Sequence, residues 1–336
     1  MLAALDEAQA SGARLDAASK LVGLSKRTVQ RWRLEPEGRD KRQGSRHPSG
    51  NGLSKREQAQ VVAVMLDPQH AMLSPKKLVP KLADENIYLA SESTMYRLQR
   101  RFGLREPVRE VSCSHVTRAT AVHTATGPNQ VWSWDITYLP TPTNGRYFYL
   151  YLVLDVWSRR IVGWRVHHRE SHDLAAEMIE QICKAEKIDP LGLVLHADNG
   201  TPMRGSSMIS TLQSLGIVPS FSRPHVSDDN AYSEALFRTL KYTPAYPRAP
   251  FGNLAIAQGW VERFVAWYNG EHRHSAIRFV TPDQRHFGSE GAILAKRAVV
   301  YARAKKKNPA RWTGATRNWI PIQTVVLNPA RPPTAA

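Results

Sequence analysis

Three carboxylates stand where chemistry could be done. Asp135 lies inside the aromatic, β-branched run Trp132-Ser133-Trp134-Asp135-Ile136-Thr137. Asp198 follows an apolar segment in His196-Ala197-Asp198-Asn199-Gly200, and Glu234 closes Asp228-Asp229-Asn230-Ala231-Tyr232-Ser233-Glu234, with 35 residues between Asp198 and Glu234. A carboxylate withdrawn from water is costly unless paired, and a divalent cation reverses that balance. Hard carboxylate oxygens suit Mg²⁺, and two such ions can generate hydroxide, orient it in line with a phosphodiester and stabilise the leaving 3′-oxygen. A 3′-hydroxyl in place of water would join strands instead of cutting them. Neither a covalent protein nucleophile nor ATP is needed. Singly, each acid has a plain alternative: an Asp in a strand caps a turn, and a Glu near a helix start favours the helix dipole.

The elements around these acids follow from hydrophobic period. Val131, Trp132, Trp134, Ile136 and Tyr138 predict a strand ending at Pro140; Tyr147–Leu154 and Arg160–Val166 predict two more. Tight connections at Asn144-Gly145 and Trp157-Ser158 make these an antiparallel meander. A helix is expected near Asp173–Lys187, and the strand Gly192–His196 then delivers Asp198 at its carboxyl end. Another helix runs from Arg204 or Ser206 to Leu215, a short strand covers Ile217–Phe221, and a helix carries Glu234. Lys241, seven residues beyond Glu234, falls almost two turns later on nearly the same helical face. Asp155 belongs to Leu154-Asp155-Val156-Trp157-Ser158-Arg159, which reads as a strand-to-turn element outside the acidic set.

The front of the chain is helical and basic. Leu15, Ala18, Leu21 and Val22 mark an apolar face that stops at Gly23. Ser25 can cap a second helix in which Val29 and Trp32 face inward, while Lys26, Arg27, Gln30, Arg31 and Arg33 face outward. Helix, glycine turn and basic helix form a helix-turn-helix over residues 1–34, whose second helix suits the major groove; the alternative is a helical hairpin with solvated charges. Residues 35–53 read as a Gly, Ser and Pro linker. A second helical module spans 54–104, with a capping box at Ser54–Glu57, a start at Ser74-Pro75, and a helix capped by Ser91 in which Met95, Leu98 and Phe102 recur before Gly103. Residues 105–130 form an extended connection, 131–283 a core with a helical extension, and 284–336 a basic segment that ends in a strand-like Ile320–Leu327 and a mobile proline-rich end.

Composition narrows the partners. Among 336 residues, 46 Lys and Arg against 29 Asp and Glu leave a net charge of +17, which favours polyanions and makes their binding salt-sensitive. Two cysteines offer neither a zinc cluster nor a disulfide framework, so a reducing compartment is expected. His272 and His274 lack the Cys/His set a metal site would need. The opening residues do not resemble a signal peptide, and the apolar run Tyr147–Val156 is too short to span a membrane.

The acidic motifs, Lys241, Trp260–Asn269, His272–Ile277 and Thr281-Pro282 resemble the transposases of the IS3 family of bacterial insertion sequences, within the wider retroviral-integrase superfamily. The likeness is most specific from Val131 to about Pro282. It implies an α/β fold: an RNase H-like mixed five-stranded sheet with flanking helices, preceded by helical DNA-binding modules and followed by a basic C-terminal segment. In that family the strand bearing the first acid lies beside the strand ending at the second. The resemblance further implies that Asp135 contacts two Mg²⁺ ions, with Mn²⁺ able to substitute, and that Asp198 and Glu234 complete their separate environments. Lys241 would hold a DNA phosphate. Lys26, Arg27, Gln30 and Arg31, then Arg97, Arg100 and Arg101, and finally Lys305, Lys306 and Lys307 are the further expected DNA contacts.

The implied activity is metal-dependent cleavage and strand transfer at terminal inverted repeats into target DNA, by copy-out and paste-in. It would take place in a homo-oligomeric nucleoprotein complex associated with the nucleoid of the cytoplasm. The chain lacks a sustained leucine heptad, which leaves room for an upstream helix-turn-helix and leucine-zipper partner. Three other functions compete: a catalytically silent DNA-binding or bridging subunit, an RNase H-like structure-specific nuclease, and a general RNA-binding protein. The intact acidic set, the downstream resemblance and the carboxylate arrangement count against them in turn.

Overall fold

Alternation along one strand organises the catalytic half of the molecule. In the computed structural model, which describes residues 2–34, 52–70, 73–104, 122–223 and 227–329, Trp132 and Trp134 bury on one side of the sheet while Ser133 and Leu139 bury on the other. The linker readings at 35–51 and 105–121 and the proline-rich end lie outside the described residues. Two compact units divide the chain, Met1–Gly52 and Leu53–Ala336.

The first unit holds α1 (Leu2–Ala10), α2 (Leu15–Leu21) and α3 (Lys26–Leu34) around a small core of Leu5, Ala18 and Val29, with Leu15 and Leu24 packed against it. Gly23, at φ +68°, makes the left-handed turn between α2 and α3, and the Ser25 hydroxyl accepts from the Thr28 amide at 3.1 Å. Three expectations change. Leu21 is 89% exposed and Val22 is exposed too, because α2 ends there and Leu24, beyond the turn, supplies the packing instead. Trp32 is only half-buried. Arg33 turns back onto α1, donating to Asp6 and, at 2.6 Å, to Gln9.

The second unit opens with α4 (Lys55–Leu66), α5 (Pro75–Asp84) and α6 (Glu92–Arg101). Ser54 and Glu57 make the reciprocal capping box, and Ser91 accepts from the Thr94 amide. Phe102, expected inside, is 49% exposed because it caps the helix at its C-terminal end. After β1 (His123–Ala125) come β2 (Val131–Pro140), β3 (Tyr147–Asp155) and β4 (Ile161–His167), then α7 (His172–Glu186), β5 (Val194–Ala197), α8 (Thr201–Arg204), α9 (Ser206–Ser214) and β6 (Val218–Phe221). A 3-10 turn at Ser227–Asn230 leads into α10 (Ala231–Tyr242), and α11 (Leu254–Gly270), α12 (Pro282–His286), α13 (Glu290–Lys307) and β7 (Val325–Leu327) complete the order.

Five strands form one mixed sheet in the order β4-β3-β2-β5-β6, antiparallel in its first three strands and parallel from β2 onward. This is the RNase H-like arrangement expected from the sequence. One face packs Trp132, Trp134, Tyr151 and Val153 against α7 and α9; the other packs Leu139, Leu150, Leu152 and Leu154 against α10 and α11. Gly163 in β4 is required by packing, since a Cβ there would lie 2.1 Å from Ile182 of α7. Helices α4 to α6 share a core with α13 and the chain after it, through Leu78, Met95, Leu294, Tyr301 and Trp319. Arg297, wholly buried, ties α13 to Asp84 of α5 by two bonds of 2.6 and 3.0 Å. The C-terminal segment is likewise built in: β7 pairs antiparallel with β1, His123 opposite Leu327.

Candidate active site

Asp135 occupies the middle of β2, two residues from Ser133 and therefore on the same face of the strand. Ser133 is buried and fixes the approach of α10: its hydroxyl donates to Asn230 Oδ1 at 2.6 Å and lies 2.7 Å from Ser233 Oγ. Asn230 Nδ2 donates in turn to the Trp134 carbonyl at 3.2 Å. Glu234, the residue after Ser233 and exposed on α10, is thereby delivered to the side of the sheet that carries Asp135.

Asp198 arrives by a different route. Strands β2 and β5 run parallel with Val131, Trp132 and Ser133 opposite Val194, Leu195 and His196, and the same register carried on by two residues sets Asp198 level with Asp135. Asp198 Oδ1 accepts from the Gly200 amide at 2.9 Å. A Cβ on Gly200 would stand 3.0 Å from that oxygen, so glycine gives this turn its room. His196, buried at the end of β5, lies 3.0 Å from the Asp229 carbonyl through Nε2 and 2.9 Å from Ser220 Oγ through Nδ1. Asp229 is gripped by Arg223 at 2.7 and 2.8 Å, which fixes the turn leading into α10.

The charges of Asp198 and Glu234 are both felt at Asp135. Burial first, then the negative charge of Asp198, push the Asp135 carboxyl up to about 7; Glu234 adds to the rise, while the Ile136 amide and Lys241 oppose it. One oxygen of Asp135 accepts from that Ile136 amide at 2.7 Å. Lys241 lies seven residues beyond Glu234 on the same helix, and its positive charge is felt at Asp135. Among the described residues, no three His, Cys, Asp or Glu side chains converge tightly enough to enclose an ion as they stand. The donor set nevertheless suits a hard divalent cation: three carboxylates and no sulfur or imidazole, with a half-buried Asp135 that feels the charge of the other two, a repulsion a dication would offset.

The remaining sequence candidates fall elsewhere. Lys26, Arg27, Gln30 and Arg31 are all exposed on α3 of the first unit. Arg97, Arg100 and Arg101 are exposed on α6, Arg97 donating to Thr94 at 3.0 Å. Lys306 and Lys307 are exposed at the end of α13, whereas Lys305 is half-buried and donates to the Gly314 carbonyl at 2.9 Å. His272 and His274 are packed into the fold, with burial pushing both down to about 3. Asp155 is fully buried and satisfied by the turn around it. Sequence reasoning missed Ser133, Asn230 and Ser233 as the anchor of α10; the signal was Ser133 sharing a strand face with Asp135.

Two integrase core domain family models match residues 125–227 and 215–282. The transposase for insertion sequence element IS904 of Lactococcus lactis is 34% identical over 172 residues, 51% of this chain and 66% of that protein. Transposase InsF of insertion sequence IS3A from Escherichia coli is 30% identical over 161 residues, 48% of this chain and 54% of its own length. The chain thus spans about half to two thirds of the curated relatives it matches. The HTLV-2 integrase catalytic core domain in complex with magnesium aligns over 48% of this chain and 97% of that one, at 18% identity and a TM-score of 0.35.

Proposed function

Because the chain belongs to the retroviral-integrase and DDE-transposase superfamily, alongside IS3-type transposases, we propose that it cuts DNA at the ends of an insertion sequence and joins the freed 3′ ends to target DNA. The observation that carries this reading is that Asp135 lies on a central strand, Asp198 just past the parallel strand paired with it, and Glu234 on the helix that Ser133 anchors to that strand. In this reading these three carboxylates would hold Mg²⁺, or Mn²⁺ in its place. Bound there, the metal would supply a nucleophile at neutral pH and stabilise charge on the leaving 3′-oxygen.

The protein's own part is placement. Ser133 holds α10 against β2 and so sets the position of Glu234 relative to Asp135. Gly200 orients one Asp198 oxygen through its amide, leaving the other for an outside partner. Lys241 offers a cation to a phosphate beside the acids. Exposed Lys26, Arg27, Gln30 and Arg31 suit a recognition helix on double-stranded inverted-repeat DNA, and Arg97, Arg100, Arg101, Lys306 and Lys307 suit further phosphate contacts. A net charge of +17 agrees with that partner. Handling two ends calls for at least two copies of the chain, and copy-out and paste-in is the route the family likeness favours. No helix among the described residues is long and apolar enough to cross a membrane.

Incubation with labelled element ends and target DNA, with Mg²⁺ or with a chelator, tests the proposal in one assay. Cleaved ends and joined products that require metal are expected. Cleavage without joining would make the protein a structure-specific nuclease, and binding alone a bridging subunit; either result overturns the transposase reading.

A further inference from the structure

The C-terminal segment is bound to the rest of its unit by its backbone. Between Ile320 and Val326 four of its backbone carbonyls accept from side chains of the same unit. Arg278 donates to Ile320 at 3.3 Å, Arg285 to Ile322 at 2.6 Å, the Trp157 indole to Gln323 at 3.0 Å and the Tyr232 hydroxyl to Val326 at 3.0 Å. Tyr232 is the last of these donors and stands two residues before Glu234 on α10. Its ring lies under the buried Arg159 guanidinium, 4.0 Å from the centroid, and packs against the buried cluster to which Val325 and Leu327 of β7 and Ala125 of β1 belong.

A second path reaches the same helix from the strand that β7 pairs with. His123 of β1 lies 2.8 Å from Ser220 Oγ, which lies 2.9 Å from His196 Nδ1, while His196 Nε2 meets the Asp229 carbonyl at 3.0 Å. The carbonyl must accept, so His196 carries its proton on Nε2, and its Nδ1 accepts a hydrogen bond from the Ser220 hydroxyl. Ser220 then accepts from His123. Both paths therefore start in the β1–β7 pair and end on the turn and first residues of α10, one on each side of Asn230.

We infer that the β1–β7 pair is a positioning clasp for Glu234, acting through Tyr232 on one side and through His123, Ser220 and His196 on the other. This rests on the proposed role of Glu234. Tyr232 and His123 are positioning residues: they act by fixing where α10 begins, with no contact to DNA or to the acids required of them. Without the clasp α10 keeps its anchor on Ser133 but loses the restraint on its outer side.

Tyr232→Phe keeps the ring on Arg159 and removes only the bond to Val326, and His123→Ala cuts the second path. In the full chain, amide hydrogen exchange over residues 227–242 should quicken in both variants while the rest of the sheet exchanges as before. End cleavage in saturating Mg²⁺ should slow roughly tenfold, short of the hundredfold or so that a misplacement of about 1 Å can cost. The Mg²⁺ concentration for half-maximal rate should rise, with affinity for labelled end DNA and the melting temperature nearly unchanged. Unaltered exchange over 227–242 in both variants overturns the clasp whether or not the wild-type chain cuts DNA. Unaltered cleavage and metal dependence in variants of an active wild-type protein overturn it equally. A wild-type chain that never cuts DNA, yet shows the quickened exchange in its variants, keeps the clasp and removes the transposase reading instead.

Discussion

Asp135 and Asp155 lie on neighbouring strands, and both have carboxyls raised chiefly by burial, yet their surroundings are opposite. Asp155 is enclosed by donors: the Asn129 amide at 2.7 Å, the Ser158 amide at 2.7 Å and the Ser158 hydroxyl at 2.6 Å. Asp135 has a single amide, from the residue next to it, and otherwise feels the negative charges of Asp198 and Glu234, offset only in part by Lys241. The two paired strands therefore carry one carboxylate that completes a turn and one that needs something from outside. Withdrawal from water is common to both; what separates a structural acid from a candidate metal ligand is whether the fold itself answers the charge.

The largest effect expected from this contrast is on chemistry. Asp135→Asn, Asp198→Asn and Glu234→Gln keep shape and remove charge, so each should lower end cleavage and joining by at least about a hundredfold, or roughly 3 kcal/mol. DNA affinity and melting temperature should hardly change, because most phosphate contacts lie elsewhere. A folded Asp198→Asn chain with normal cleavage would break the distinction at its active end. Asp155→Asn should do the reverse. An amide there must turn its NH₂ toward at least one of the donors now bonded to the carboxylate, so stability should fall by about 2–3 kcal/mol in chemical denaturation. Activity per folded molecule should survive.

Much of this contrast is legible in the amino-acid sequence. The strand period, the glycine turns and the spacing of the acids mark the five-stranded sheet and where Asp135, Asp198 and Glu234 enter it, because a buried sheet writes its faces into the residue pattern. The segment from Ile320 to Leu327 is only partly marked: it reads as strand-like throughout, yet only Val325–Leu327 forms a strand. Before β7 the chain is held by backbone carbonyls accepting from Arg278, Arg285 and Trp157, donors far away in sequence that no local period announces. Leu21 misleads for a related reason: a short helix ending at a glycine turn can show an apolar residue on the right spacing and still leave it 89% exposed.

Ser133 offers a smaller effect that sharpens the active side of the comparison. Ser133→Ala removes the hydroxyl between Asn230 and Ser233 and leaves two buried polar groups short of a partner. Stability should drop by about 1–2 kcal/mol. Cleavage should drop as well, with DNA affinity retained, since Glu234 moves with α10. Equal loss of affinity and rate would make Ser133 a general fold residue and detach it from the acids.

The smallest effect comes from a third kind of carboxylate, one left at the surface beside a cation. Glu57, in the capping box of α4, is held down at about 2, first by Arg311 and then by the Ser54 amide and hydroxyl. A folded-state value below the ordinary 4.5 means that the interaction is fully present above that value and is lost as pH falls toward 2. Because solvent screens an exposed pair, the loss should stay below about 1 kcal/mol. Melting temperatures of wild type and Glu57→Gln, compared between neutral pH and pH values below 4.5, should converge as the medium becomes acidic. A gap that widens with acid would have the sign wrong, and would mean that Arg311 is not what holds this carboxylate.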